Sequence, residues 1–179
     1  IWILQKIFNP GPALYKSARL SRYSEKITLL KFRSMNPRYG KRDAADEFRS
    51  MGRDDLAREY EQYRKVKNDP RITGFGKFLR DTSIDELPQL FNVLKGDLSL
   101  VGPRPILPQE MKLTRGRGAL LHSVKSGVTG LWQVSGRSDL SFEQRIELES
   151  YYAQNWSFWL DIKILFKTLW VVIKKDGAK

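Results

Sequence analysis

The stretch Asp81–Pro105, "DTSIDELPQLFNVLKGDLSLVGPRP", decides how the chain is organised. It places two adjacent acids, Asp85 and Glu86, ahead of the helix-forming run "QLFNVLK". Gly96 follows as a candidate C-cap. "VGPRPILP" then carries three prolines and a glycine, which excludes regular helix. Ser83 and Glu86 stand three residues apart, the spacing of a capping box. Pro88 conflicts with a helix starting at Ile84, so the helix start stays open between Ile84 and Leu87. On either choice the acids sit at a helix N-terminus, which favours an ionised carboxylate.

These acids lie in a very basic chain. Its 179 residues carry a formal charge of +12. That length suits one domain with a real core. The charge points to an anionic partner: nucleic acid, acidic lipid or a phosphorylated substrate. There is no cysteine, which excludes thiol chemistry, and the single histidine, His122, argues against a histidine triad or metal cluster.

Outward from the acid pair, the N-terminal "IWILQKIF" is apolar but shorter than a membrane span. It reads either as the tail of a longer hydrophobic segment or as a buried helix end. "FNPGPALY" stops it. A small hairpin is expected from about Leu14 to Phe32. "EFRSMGRDDLAREYEQYRKVK" reads as one largely exposed helix with Leu56, Tyr60 and Tyr63 on a common face. Gly74 and Gly76 permit a close backbone approach. "QEMKLTRGRGALLHSVKSGVTG" mixes short helix with loop, and "LWQVSGRSD" reads as a short strand and turn. "LSFEQRIELESYYAQN" is a helix capped by Ser141.

The final element, "WSFWLDIKILFKTLWVVIKK", brings Lys163, Lys167 and Lys174 together beside a broad face of Trp159, Phe166, Leu169, Trp170 and Ile173. That pattern suits a helix lying in a bilayer interface, with closure of the protein core as the plain alternative. The fold class expected is α+β, mostly helical, with a small β-hairpin and a C-terminal amphipathic helix.

The acids and arginines together suggest phosphoryl transfer. An anionic nucleophile is repelled by an anionic phosphate, so positive groups must first neutralise the phosphate. Arginine does this with a planar, bidentate fork. Arg80 and Arg104 bracket the pair in sequence, and Arg137 sits in another glycine-containing turn. Each can equally be a surface charge.

Four motifs, "KFRSM", "DELPQLFNVLKGDLSLVGPRP", "VTGLWQVSGR" and "YYAQNWSFWLDIKILFKT", resemble the bacterial sugar transferase family in the same order. These are the monotopic polyprenyl-phosphate phosphoglycosyl transferases. The resemblance covers nearly the whole chain, and the segment "REYEQYRKVKNDPRITGFGKFLR" resembles the larger members that begin exopolysaccharide or O-antigen synthesis. It implies one catalytic domain over residues 1–179. Residues 1–12 would be the end of a re-entrant membrane segment, and 156–175 an interfacial helix.

The implied reaction moves a sugar-1-phosphate from a UDP-sugar to undecaprenyl phosphate and releases UMP. Galactose or glucose would be the sugar, with a lean to galactose. By resemblance Asp85 is the nucleophile that forms a phosphosugar-enzyme. Glu86 holds Mg2+ or activates the lipid phosphate. Arg80, Arg104, Arg137 and Asp139 bind substrate or phosphate. Ile1, Trp2, Ile3, Leu4, Phe8, Trp159, Phe166 and Trp170 would face the membrane. The implied location is the cytoplasmic face of the bacterial inner membrane, with no nucleic-acid partner; a homo-oligomer is left open.

Two differences from the family pattern fall at Ser17 and Ser21, in a segment that keeps Arg19, and a third at Ser126, where a proline is usual. The alternatives are a basic nucleic-acid-binding module, permitted by charge and interleaved aromatics, and a noncatalytic membrane-surface scaffold. The first lacks a recognisable binding motif. The intact acid pair weighs against the second.

Overall fold

The hairpin forms over the expected residues. In the computed structural model, which describes residues 1–40, 42–136 and 140–174, β1 (Leu14–Leu20) pairs antiparallel with β2 (Lys26–Phe32). The register runs from Leu14↔Phe32 to Leu20↔Lys26. Directly opposed residues share a face, so Tyr15 and Lys31, Ser17 and Leu29, and Arg19 and Ile27 lie on one side. Ile27 and Leu29 are buried there against Leu98, Val93 and Val128. On the opposite face Leu14, Lys16, Ala18, Lys26 and Thr28 are exposed, while Leu20 is buried.

That buried face is covered by α5 (Gln89–Lys95), which Asn92 fastens to the hairpin. Its amide donates to Thr28 O (2.8 Å), and its carbonyl accepts from Leu30 N–H (3.1 Å). Gly96 ends α5 at φ 88°, where the expected C-cap glycine belongs. The beginning differs from expectation. Pro88 is the N-cap, and Ile84–Glu86 form a separate 3-10 turn. Ser83 adopts φ 56° and makes no side-chain cap, so the Ser83–Glu86 capping box is not formed. The proline lacks the N–H that would continue a helix back through the acids.

Past α5, β3 (Ser99–Val101) runs parallel to β4 (Gly127–Thr129). The two strands approach so closely that a Cβ on Gly127 would meet Gly102 N at 2.1 Å. Residues Trp132–Val134, expected as a strand, form a 3-10 turn, because the sheet pairing is already spent on Gly127–Thr129. Between the strands lie a 3-10 helix (Pro108–Thr114) and α6 (Gly118–Leu121), matching the mixed reading.

A second core joins Val101 to Tyr152 of α7 (Phe142–Gln154) and Ile164 of α8 (Phe158–Lys174). Ser141 caps α7 as expected, and Gln144 completes a capping box.

The expected single exposed helix around residues 47–67 is two helices. α2 (Ala44–Ser50) and α3 (Asp54–Tyr63) are separated at Gly52, which takes φ 70°. They fold on each other around Phe48, Ala45, Leu56 and Ala57, with Tyr60 packed against that core. Tyr63 stays exposed. The charges that suggested a solvated helix are partly internal: Arg71 pairs with Glu47 (2.9 Å) and Asp69 (2.7 Å), all three side chains buried.

α4 (Gly74–Asp81) starts at a Thr73 cap whose hydroxyl accepts from Gly76 N–H at 3.0 Å. At Gly76 a Cβ would lie 1.8 Å from Ser34 O, so glycine alone allows α4 to meet the end of β2. α1 (Trp2–Phe8) reaches the same region: Asn9 donates to Arg33 O, and Arg33 in turn binds the carbonyls of Asn9, Pro10 and Pro12.

The chain is thus mostly helical α+β with a small antiparallel hairpin. Among the described residues no helix is long and apolar enough to cross a membrane. All eight side chains expected to face a membrane, in α1, its preceding Ile1 and α8, are exposed.

Candidate active site

The 3-10 turn Ile84–Glu86 sets Asp85 and Glu86 against the open end of the hairpin. Lys31, on the inward face of β2, pairs with Glu86 Oε1 at 2.6 Å. Arg80, one helical turn before the acids on α4, is anchored by Ser34: its Nε donates to Ser34 Oγ at 2.8 Å. Asp85 is buried, Glu86 half-buried.

Burial pushes the Asp85 carboxyl up to about 6; Lys31 and Arg80 pull it down, and Glu86 adds to the rise. The helix N-terminus was expected to favour ionisation, but the loss of solvent outweighs it. The carboxylate is still the majority form at neutral pH. Burial also draws the Arg80 guanidinium down, opposed by Asp85. The site therefore holds a desolvated carboxylate, a second acid and two cations within one electrostatic neighbourhood.

Arg104 belongs to a second cluster. Its backbone N–H donates to Glu149 Oε1 (2.9 Å), and its guanidinium lies 6.0 Å from the Trp132 ring centre. Arg145 stands 5.7 Å from the same ring and 3.6 Å from Glu149 Oε2. Arg19 Nη1 lies 3.9 Å from Glu110 Oε2. Burial alone would raise Glu110, but Arg104, Arg145, the Leu107 N–H and Arg19 together bring it below the ordinary value. Three guanidiniums face two carboxylates, which leaves one positive charge in excess on the half-exposed side, at Arg104.

The hairpin relates the two clusters. Tyr15↔Lys31 and Arg19↔Ile27 lie on its inward face, four residues apart. At about 3.3 Å per residue, the two positions are about 13 Å apart along the strand.

The structure thus joins Asp85, Glu86 and Arg80 directly and places Arg104 in the neighbouring cluster. Arg137 and Asp139 lie outside the described residues. Lys31, Arg19, Glu110, Arg145, Glu149 and Trp132 had not been singled out as site residues. Signals for three of them were present: Lys31 falls within the strand-like run of the hairpin, and Arg145 and Glu149 are spaced i, i+4 on one helix.

Among the described residues no group of three His, Asp or Glu side chains gathers as a metal site. The dyad fits a magnesium ion in another way. Mg2+ takes hard oxygen donors and is commonly held by one or two carboxylates together with substrate phosphates. Glu86 is such a donor, beside an acid and below two cations that also attract phosphate. Chemically, the arrangement presents a desolvated carboxylate beside two cations that can neutralise an anionic group.

The family described as bacterial sugar transferase matches residues 1–175. An undecaprenyl-phosphate galactose phosphotransferase of Salmonella typhimurium is 48% identical over 169 residues, 94% of this chain and 35% of that protein. The exopolysaccharide production protein ExoY of Rhizobium meliloti is 38% identical over 178 residues, 99% of this chain and 77% of that protein. A UDP-glucose:undecaprenyl-phosphate glucose-1-phosphate transferase of Klebsiella pneumoniae is 40% identical over 172 residues, 92% of this chain and 33% of that protein. The chain spans about a third of the Salmonella and Klebsiella proteins. With the match running through both strands of the hairpin, the acid pair and the C-terminal helix, the chain belongs to the bacterial sugar transferase family.

Proposed function

We propose that this chain transfers a sugar-1-phosphate from a UDP-sugar to undecaprenyl phosphate through a covalent Asp85 intermediate. One observation carries the reading: Asp85 is buried yet flanked by Lys31 and Arg80, with Glu86 adjacent. A carboxylate that loses its water yet stays ionised gains reactivity as a nucleophile.

In the first step an Asp85 carboxylate oxygen bonds to the phosphorus that carries the sugar. The bond from that phosphorus to the bridging oxygen breaks, and UMP leaves with the electron pair. In the second step an oxygen of the lipid phosphate attacks the same phosphorus. The Asp85–phosphorus bond breaks, the carboxylate is restored, and a lipid diphosphate sugar is formed. The anomeric carbon takes no part, so its configuration is retained.

Glu86 would hold Mg2+, which when bound supplies positive charge to the diphosphate. Lys31 and Arg80 orient the anion and keep Asp85 ionised. Arg104, with the excess charge of its cluster, receives a phosphate oxygen of the donor. Arg137 and Asp139 are proposed for nucleotide or phosphate binding on the family resemblance. A nucleoside diphosphate sugar is long enough to lie along the hairpin between the two clusters. The exposed apolar faces of α1 and α8 would rest in the cytoplasmic leaflet of the bacterial inner membrane, bringing a soluble donor to a lipid-borne acceptor. The relatives named for galactose transfer favour that sugar, and the pathway would be exopolysaccharide or O-antigen synthesis.

The test combines the chain with Mg2+, undecaprenyl phosphate and UDP-galactose or UDP-glucose. UMP release and a phosphosugar adduct on the intact protein are expected. Asp85→Asn should abolish both, and a normal adduct in that variant would refute the nucleophile.

A further inference from the structure

A groove remote from the acid pair is unused by this mechanism. It consists of two abutting cavities that share Ser99, Val101, Lys125 and Asp161. One, of about 410 Å3, is walled by Val93, Leu98, Leu100, Phe158, Ile162 and Leu165. The other, of about 290 Å3, adds Arg22, Ser123, Tyr152 and Trp156. One end is therefore apolar and the other basic and polar. The volumes lie in the range of small-molecule sites.

We propose that this groove binds one anionic glycerophospholipid of the surrounding membrane, with an acyl chain in the apolar half and the phosphodiester between Arg22 and Lys125. Three observations support that occupant. First, the charges are complementary. Arg22 and Lys125 are exposed and have no ion-pair partner among the described residues, and Lys125 spends one donor on Gly96 O (2.9 Å). With Asp161 the lining keeps a net positive charge, which favours an anionic over a zwitterionic headgroup. A guanidinium fork and an ammonium are the usual pair for phosphate.

Second, Asp161 is positioned as an acceptor. Tyr152 Oη donates to its Oδ1 (2.7 Å), and Trp156 Nε1 donates to its Oδ2 (3.1 Å). Each carboxylate oxygen retains a lone pair, which suits the hydroxyls of a glycerol headgroup. Third, the groove opens onto exposed apolar side chains: Leu100 and Phe158 in the wall of its apolar half and Trp156 in the wall of the other half are all exposed. Aromatics in such a place suit the bilayer interface.

The occupant is not the acceptor of the reaction. Asp85 precedes the N-terminus of α5, whereas Lys125 binds Gly96 at its C-terminus. The seven residues of α5 span about 10 Å at 1.5 Å per residue. A phosphate seated between Arg22 and Lys125 is thus held a helix length away from the reacting carboxylate. The inference rests on the membrane placement proposed above, but not on the chemistry at Asp85.

The test measures binding of short-chain phosphatidylglycerol, below its micellar concentration, to the full chain in neutral detergent by native mass spectrometry. Saturable binding of one lipid is expected. Arg22→Gln combined with Lys125→Gln, both at exposed positions, should weaken it by at least about tenfold through loss of two charge-assisted contacts. Ile162→Trp, which fills the apolar half, should weaken it independently. UMP release by the double variant should be unchanged. Equal binding by wild type and both variants would overturn the proposal. So would equal affinity for phosphatidylethanolamine, or displacement by undecaprenyl phosphate accompanied by loss of turnover in the double variant. The binding readout is taken on unreacted protein, so failure of the Asp85 mechanism would appear only in the adduct assay.

Discussion

Lys31 Nζ lies 2.6 Å from Glu86 Oε1, and the same ammonium is the strongest influence drawing Asp85 back toward ionisation. One strand residue thus serves both acids. This follows from register: Lys31 is opposite Tyr15 on the inward face of the hairpin, at the end nearest the 3-10 turn. Replacing Lys31 with Met should raise the Asp85 pKa above about 6. Attack needs the carboxylate, so the acid limb of adduct formation should move to higher pH. At a fixed pH on that limb, a pKa higher by one lowers the rate about tenfold. Rapid-quench measurement of the adduct from pH 5 to 9 checks this. A uniform fall in rate with no movement of the limb would assign Lys31 to phosphate binding alone.

Asp85 also makes the fold less stable than it need be. Its folded pKa of about 6 lies above the ordinary 3.8, with burial the first cause. The folded protein therefore binds this proton more tightly than the unfolded chain. Stability from the protonated acid is fully present below about pH 3.8 and is lost as pH rises through about 6. Asp85→Asn should thus stabilise the protein at pH 8 by about 1–3 kcal/mol while abolishing the adduct. The gain should vanish toward pH 4. Urea unfolding at both pH values measures it, and an unchanged midpoint at pH 8 would deny that the site stores this cost.

Much of this arrangement was legible before the structure. The hairpin announced itself by the strand-like run of "ITLLKF", and Gly96 and Ser141 marked helix ends through local rules that need no tertiary context. The acid turn was harder, because the Ser83–Glu86 spacing and Pro88 gave opposite readings and only the packed geometry decides between them. The α2–α3 pair was hidden because Glu47, Asp69 and Arg71 satisfy one another inside the fold, where a sequence shows only charges. The Arg19–Arg104–Arg145 cluster was hidden for a different reason: its members come from a strand, a proline-rich loop and α7, so no window contains them.

That cluster depends on Glu149. Its side chain is buried, accepts from the Arg104 N–H, and faces Arg145, itself buried. Glu149→Gln retains the carbonyl acceptor but leaves the Arg145 charge without its counterion. A loss of about 3–5 kcal/mol is expected. The double change Arg145→Leu with Glu149→Leu should recover part of that stability yet raise the donor KM, because the Arg104 loop loses its anchor. Chemical denaturation and donor titration separate the two effects. If the double variant kept a wild-type KM, Arg104 would not depend on Glu149 for its position.

Asn92 ties the acid-bearing segment to the hairpin through two backbone groups of β2. Asn92→Leu has similar bulk but leaves Leu30 N–H and Thr28 O without this partner. A loss of about 2–4 kcal/mol is expected from two unmet polar groups. Hydrogen exchange should show the Leu30 amide losing protection ahead of amides in α7. Equal protection across both regions would indicate that packing, not Asn92, holds the layers together.

The membrane reading can be tested without touching the site. Trp159, Phe166 and Trp170 are all largely exposed on α8, while Ile164 on the same helix is fully buried in the core with Val101 and Tyr152. The helix therefore closes the core with one side and presents exposed aromatics with another, an arrangement compatible with both readings of its sequence. Changing the three aromatics to Ser should leave the core contacts, and hence the melting temperature, nearly unchanged. If the outward side lies in the bilayer interface, co-sedimentation with vesicles should fall sharply, since transfer of apolar area drives it. Adduct formation from the soluble donor should persist, while transfer to lipid phosphate in vesicles should fail. Undiminished co-sedimentation would mean that α1 alone carries the attachment, and Trp2→Ser with Ile3→Ser would then be the variant to lose it.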